Sequence, residues 1–99
     1  MSTTTLIPTN EFCTWHQVEY TFISSLHDAG LVEIRVIDQS EYIPETELQK
    51  LEKMIRLHQD LEINIAGIEA ITHLLERVEN MHEEMRMLRN KLMRYEGDQ

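Results

Sequence analysis

Glycine, proline and cysteine are scarce in this chain: three, two and one among 99 residues. Three glycines offer little from which to build a phosphate-cradling loop, and no Gly-x-Gly-x-x-Gly, Walker or Gly-x-Ser-x-Gly pattern is present. The lone cysteine, Cys13, excludes an intrachain disulfide and fits a reducing compartment. No uninterrupted apolar stretch approaches the roughly 18 residues that cross a bilayer. The opening Met1-Ser2-Thr3-Thr4-Thr5 has no positive charge and leads into no long apolar region, which predicts no secretory signal and a cytoplasmic protein. What the chain does have is 41% hydrophobic and 27% charged residues, enough for one modest core with an appended helix and too little for two independent cores.

Positive charge is also in short supply. Nine Lys and Arg face eighteen Asp and Glu, a formal net charge of −9. Residues 1–49 hold eight acids (Glu11, Glu19, Asp28, Glu33, Asp38, Glu41, Glu45, Glu47) and a single base, Arg35. Such a surface repels nucleic acid and anionic membranes, since binding to either gains from Lys and Arg replacing counterions. Residues 50–99 are nearly balanced, and Arg86, Arg89, Lys91 and Arg94 follow one another with no acid between them. Cations there complement the C-terminal dipole of a helix.

Along the chain, Leu6-Ile7 before Pro8 predicts a short extended segment ending in a turn. Thr9 or Asn10 is placed to cap a short helix through Glu11, Phe12, Cys13, Trp15 and His16. A second helix begins near Glu19, with Phe22, Ile23 and Leu26 as its apolar stripe and Gly30-Leu31 as its left-handed stop. The short link at Gln17-Val18 makes the pair a helix-turn-helix. Alternation over Val32–Ile37, turn formers at Asp38-Gln39-Ser40 and β-formers at Glu41-Tyr42-Ile43 predict a small hairpin, or wing. Pro44 then opens a third helix whose face is Leu48, Leu51, Met54, Ile55 and Leu61.

Asn64 is placed to cap the last helix, with Ile63 and Ile68 as a hydrophobic staple and Gly67 allowing a close crossing with the third helix. A heptad rhythm follows. Ile71, Val78, Met85 and Leu92 take one seam position; Leu74, Met81, Leu88 and Tyr95 take the other. The third helix can cover the first turns of this seam, but beyond about Val78 no chain remains to do so, which predicts a homodimer through this helix. The expected organisation is a helix-turn-helix module with a wing over residues 1–62 and a long dimerisation helix over 63–99.

Chemistry for catalysis is thin. Cys13 and His16 are three apart but lack the further ligands of a metal site, and His73 and His82 do not share a helical turn. The paired acids Glu83-Glu84 sit in a charged stretch without the burial that tunes a general acid. The expectation is a protein that is not an enzyme and has no metal, cofactor or small-molecule substrate. Met81 and Met85, two of six methionines, fall on the seam and serve as filling there.

The layout of helix-turn-helix, wing, third helix and long coiled-coil helix resembles the MerR-type winged-helix proteins. In finer detail the chain is similar to the CbpM family of chaperone modulators. The resemblance is carried by Glu11-Phe12-Cys13, by Leu26 with Gly30-Leu31-Val32-Glu33, by Ile65-Ala66-Gly67-Ile68, and by Glu84-Met85-Arg86-Met87-Leu88-Arg89-Asn90-Lys91-Leu92. Ile34 stands where that family suggests proline, and Thr14-Trp15-His16 is more aromatic than its pattern. The resemblance implies a mainly α fold with a small β-hairpin wing. It also implies a non-catalytic protein that binds and inhibits the J-domain of a CbpA- or DnaJ-like co-chaperone.

An acidic module suits a basic partner surface, and the expected contacts are Glu19 and Asp28 at the ends of the second helix, Glu33 on the first wing strand, and Asp38 and Glu41 around its turn. Trp15, Tyr20 or Tyr42 would supply aromatic anchorage where exposed. The competing expectation is a DNA-binding transcriptional regulator. Against it, Val18 to Gly30 contains no Lys or Arg for base edges or phosphates.

Overall fold

The computed structural model describes residues 4–97. In chain order these form β1 (Leu6–Pro8), α1 (Thr9–His16), α2 (Tyr20–Asp28), β2 (Arg35–Ile37), β3 (Ser40–Pro44), a 3-10 turn (Glu45–Glu47), α3 (Leu48–Leu61) and α4 (Ile65–Gly97). The chain divides into two compact units, one ending at Glu69 and one starting at Ala70. The first compact unit runs past the end of α3 and includes Ile68, a core residue on the first turn of α4.

The first unit is built around Phe12, Val18, Phe22, Ile23, Leu26, Leu31, Val32, Ile43, Leu51, Met54, Ile55 and Ile68, all buried. Its helices end where local chemistry stops them. After α2, Gly30 takes φ +77°, Leu31 N–H donates to the Leu26 carbonyl and Gly30 N–H to that of His27, both at 2.9 Å. That is a Schellman motif, and its usual apolar contact is available because Leu26 and Leu31 are both buried. The same motif ends α1 without glycine: Gln17 takes φ +52° and Val18 N–H donates to the Cys13 carbonyl. The turn between the two helices is Gln17–Glu19.

The wing differs from a two-stranded hairpin. β1 joins it, giving a three-stranded antiparallel sheet in the order β1-β3-β2, with Ile7 opposite Ile43 and Val36 opposite Glu41. The extended segment at Leu6-Ile7 is thus an edge strand, a position where Pro8 costs no ladder hydrogen bond. Asp38 and Gln39 take φ +50° and +67° between the paired residues Ile37 and Ser40. Two successive positive φ values make the two-residue primed turn that matches strand twist.

Four further expectations are corrected. The first paired residue of β2 is Arg35, not Val32: Val32 is buried in the core and the Glu33 N–H donates to Glu47 Oε1 at 2.6 Å instead of to a strand. Pro44 closes β3 and precedes the 3-10 turn, so α3 starts at Leu48. Leu61, at the last position of α3, is 65% exposed. His58, itself exposed, stacks on the buried Phe22 with ring centroids 4.3 Å apart. Neither Thr9 nor Asn10 caps α1, which begins at Thr9 itself directly after Pro8.

Asn64 does cap α4: its Oδ1 accepts from the Gly67 N–H at 2.8 Å. Ile68 is buried and Ile63 packs against the same core, as a staple requires. Gly67 has a different reason from the one expected. A Cβ there would lie 2.6 Å from Ile63 Cγ2, so the residue makes room for the staple itself, not for α3.

The second unit is helical throughout. α4 has 33 residues, roughly 50 Å at about 1.5 Å per residue. Ile71 is half-buried and the remaining seam positions, Leu74, Val78, Met81, Met85, Leu88, Leu92 and Tyr95, are exposed. No helix of the described residues is long and apolar enough to cross a membrane.

Candidate interaction site

The helix-turn-helix and wing carry an excess of acids, and α2 contributes no Lys or Arg. Tyr20, at the start of α2, reaches the wing: its hydroxyl donates to Glu41 Oε2 at 2.5 Å. That hydrogen bond, with desolvation and the negative charges of Glu41 and Asp28, pushes the Tyr20 phenol above its ordinary range, opposed by the Ser24 hydroxyl. Tyr20, Ser24 and Asp28 recur every four residues and therefore share one face of α2. Two of the expected contact residues, Asp28 and Glu41, thus act on one phenol.

The other three lie elsewhere. Glu33, in the loop before β2, is ion-paired with Arg35 at 3.1 Å. Beside it, Glu47 accepts from the Glu33 N–H and pairs with Lys50 at 3.3 Å, so the acids here already hold cations. Asp38 is exposed on the hairpin turn. Glu19 is exposed immediately before α2, where its carboxylate accepts from the Thr21 hydroxyl at 3.4 Å. The five expected acids therefore form no single patch. Asp28 with Glu41 is one group; Glu33 is largely satisfied; Glu19 and Asp38 stand apart.

Sequence reasoning left the aromatic residues open. Trp15 is 68% exposed and outside the core, Tyr20 is exposed and Tyr42 is half-buried. An eight-residue helix is too short for its apolar period to decide between Phe12 and Trp15 as the core residue. Phe12 takes the core and stacks on His16 at 4.3 Å, which leaves Trp15 in solvent. Cys13 is half-buried, and burial pushes its thiol up and away from thiolate chemistry. Among the described residues no three His, Cys, Asp or Glu side chains converge as a metal site would need.

Helix-turn-helix, three-stranded wing, third helix and long terminal helix together define a winged helix-turn-helix protein. A family model described as MerR HTH family regulatory protein matches residues 7–90, and the chain belongs to that family. Comparison with curated proteins and with solved structures gives no match.

Proposed function

We propose that this member of the MerR family is a cytoplasmic, non-catalytic adaptor that binds a basic protein surface through its helix-turn-helix and wing. Following the resemblance to the chaperone modulators, the partner is the J-domain of a CbpA- or DnaJ-like co-chaperone, whose activity it inhibits. The observation that carries this reading is the charge of the helix that would enter a DNA groove. From Tyr20 to Asp28 it bears no Lys or Arg; its exposed side chains are Tyr20, Thr21, Ser25, His27 and Asp28, and the one basic group among them, His27, lies 3.9 Å from the Asp28 carboxylate. Binding a duplex there would meet repulsion where ordinary DNA-binding proteins gain from counterion release. A cationic protein surface meets attraction, and the exposed Trp15 and Tyr20 supply the kind of aromatic side chain that anchors protein interfaces.

A homodimer through α4 is part of the proposal. Its support is an unbroken heptad from Ile71 to Tyr95 in which seven of the eight seam positions are 42% to 81% exposed. An apolar stripe of that length on a solvated helix is the signature of a coiled-coil partner, and a second copy supplies a matching stripe.

Family membership favours a second reading, a DNA-binding regulator, and one experiment separates the two. The purified protein is presented with a purified J-domain and, in parallel, with a labelled duplex pool at about 50 mM salt, where non-specific affinity is greatest. Capture of the J-domain, lost on changing Glu19→Lys and Asp28→Lys together, supports the adaptor. Retention of the duplex overturns it.

A further inference from the structure

Away from the wing, a cleft of about 520 Å³ opens where the α1–α2 turn meets the end of α3. Gln17 and Glu19 line it from the turn, Phe22 from α2, His58 and Gln59 from α3, and Glu62 from the residue that ends α3. We infer that this cleft holds the guanidinium of an arginine side chain presented by the protein partner, an inference that rests on the adaptor reading and gives it one definite contact.

Three features point to a guanidinium and not to another group. The lining carries two carboxylates and no Lys or Arg, and among the described residues neither Glu19 nor Glu62 is in a salt bridge. Three acids elsewhere on the module are already engaged: Arg35 holds Glu33, Tyr20 holds Glu41 and Lys50 holds Glu47. Next, the cleft has an aromatic floor. Phe22 is buried and stacks on His58 at an interplanar angle of 21°, while His58 is exposed, so the imidazole offers a second face to an incoming planar group. Its orientation is held by Nδ1–H donating to the Ile63 carbonyl at 3.1 Å. Finally, the walls present planar amide acceptors. Gln59 Nε2 donates to the Gln17 carbonyl at 3.1 Å, which ties α3 to the turn and leaves the Gln59 amide oxygen as an acceptor at the cleft.

A flat cation with five N–H donors that stacks on aromatic rings and bridges carboxylates fits this arrangement. A lysine ammonium would satisfy the charge but not the stacking face. Anionic ligands are excluded by Glu19 and Glu62.

The test uses the full chain and a small probe, N-acetyl-arginine-N-methylamide, with its citrulline analogue as a neutral control of nearly the same shape. Binding is followed by ¹H–¹⁵N NMR. The expected result is saturable shifts at Gln17–Phe22 and His58–Glu62 with the arginine probe, at least tenfold weaker with citrulline. Binding should weaken at least tenfold again in a Glu19→Gln, Glu62→Gly variant. Glycine is chosen at Glu62 because this residue sits at φ +55°, so the change removes the carboxylate while suiting the backbone. No saturation below about 100 mM arginine probe, equal binding of citrulline, or unchanged binding by the variant overturns the inference.

The J-domain capture described above is then repeated with the same variant. Weakened capture supports arginine insertion from the partner. Probe binding without capture by the wild-type chain keeps the cleft and overturns the adaptor reading. Capture that the variant leaves unchanged overturns the cleft's part in it and keeps the adaptor.

Discussion

Every one of the twelve buried core side chains lies before Ala70, whereas ten of the fifteen large exposed apolar side chains lie after it. Charge divides the opposite way. Residues 1–69 carry twelve acids and four bases; residues 70–99 carry six acids and five bases. The first unit finishes its hydrophobic work internally and leaves unbalanced charge for a partner. The second is nearly neutral and leaves its hydrophobic work undone. Each unit thus exposes the kind of incompleteness that the other lacks. In the function proposed above, the first recognises a different protein and the second a second copy of itself.

The sharpest way to break this contrast is to remove core volume from the first unit. Leu26→Ala empties a fully buried position and should cost about 3 kcal/mol, measured by urea unfolding, with the oligomeric mass unchanged while the protein remains folded. The complementary change, Leu88→Asp, places a charge on the exposed seam. It should weaken self-association by a factor of about 100, or about 2.7 kcal/mol, measured by sedimentation, with the tertiary signals of the first unit intact. A mass that does not change with Leu88→Asp would remove the seam as the dimer contact.

At the junction, Asn64→Ala deletes the cap of α4 and should cost about 1 kcal/mol. Gly67→Ala, which helix propensity favours by about 1 kcal/mol, should fail to stabilise because its methyl group meets Ile63. Thermal denaturation of the two variants side by side checks both.

The smallest effect belongs to Tyr20. Its raised phenol pKa means that the folded chain holds this proton more tightly than the unfolded chain does. The stabilisation is complete at neutral pH and is lost as pH rises through the tyrosine range, above about 10. Tyr20→Phe should therefore flatten the fall of Tm between about pH 9 and 11, and tyrosinate absorbance should show one late-titrating phenol in the wild type only.

Features set by a few neighbouring residues were legible in advance. The Gly30-Leu31 stop, the Asn64 cap with its Ile63 and Ile68 staple, and the turn at Asp38-Gln39 each follow from the conformational or hydrogen-bonding habits of the residues involved, and the structure contains all three. The helix-turn-helix and the third and fourth helices follow from apolar period. Contacts between distant residues were not legible. Nothing in Leu6-Ile7-Pro8 reveals that it pairs with Ile43 and its neighbours, and nothing in Tyr20 or Glu41 reveals that they meet. The acids were readable as a charge excess but not as a surface, because local sequence does not say which carboxylate finds Arg35 or a phenol and which stays free. The cleft escaped for the same reason: its walls are 42 residues apart at Gln17 and Gln59.

The strand that precedes α1 has a consequence for how the molecule comes into being. β1 closes the sheet against β3, so its partner emerges from the ribosome only after both helices and the hairpin turn have been made. Local helices can form early, while this pairing must wait for a loop of more than thirty residues to close. The wing is thereby sealed by strands from either side of the helix-turn-helix, and a chain ending before Ser40 would contain the α1 and α2 segments but no strand for β1 to close against.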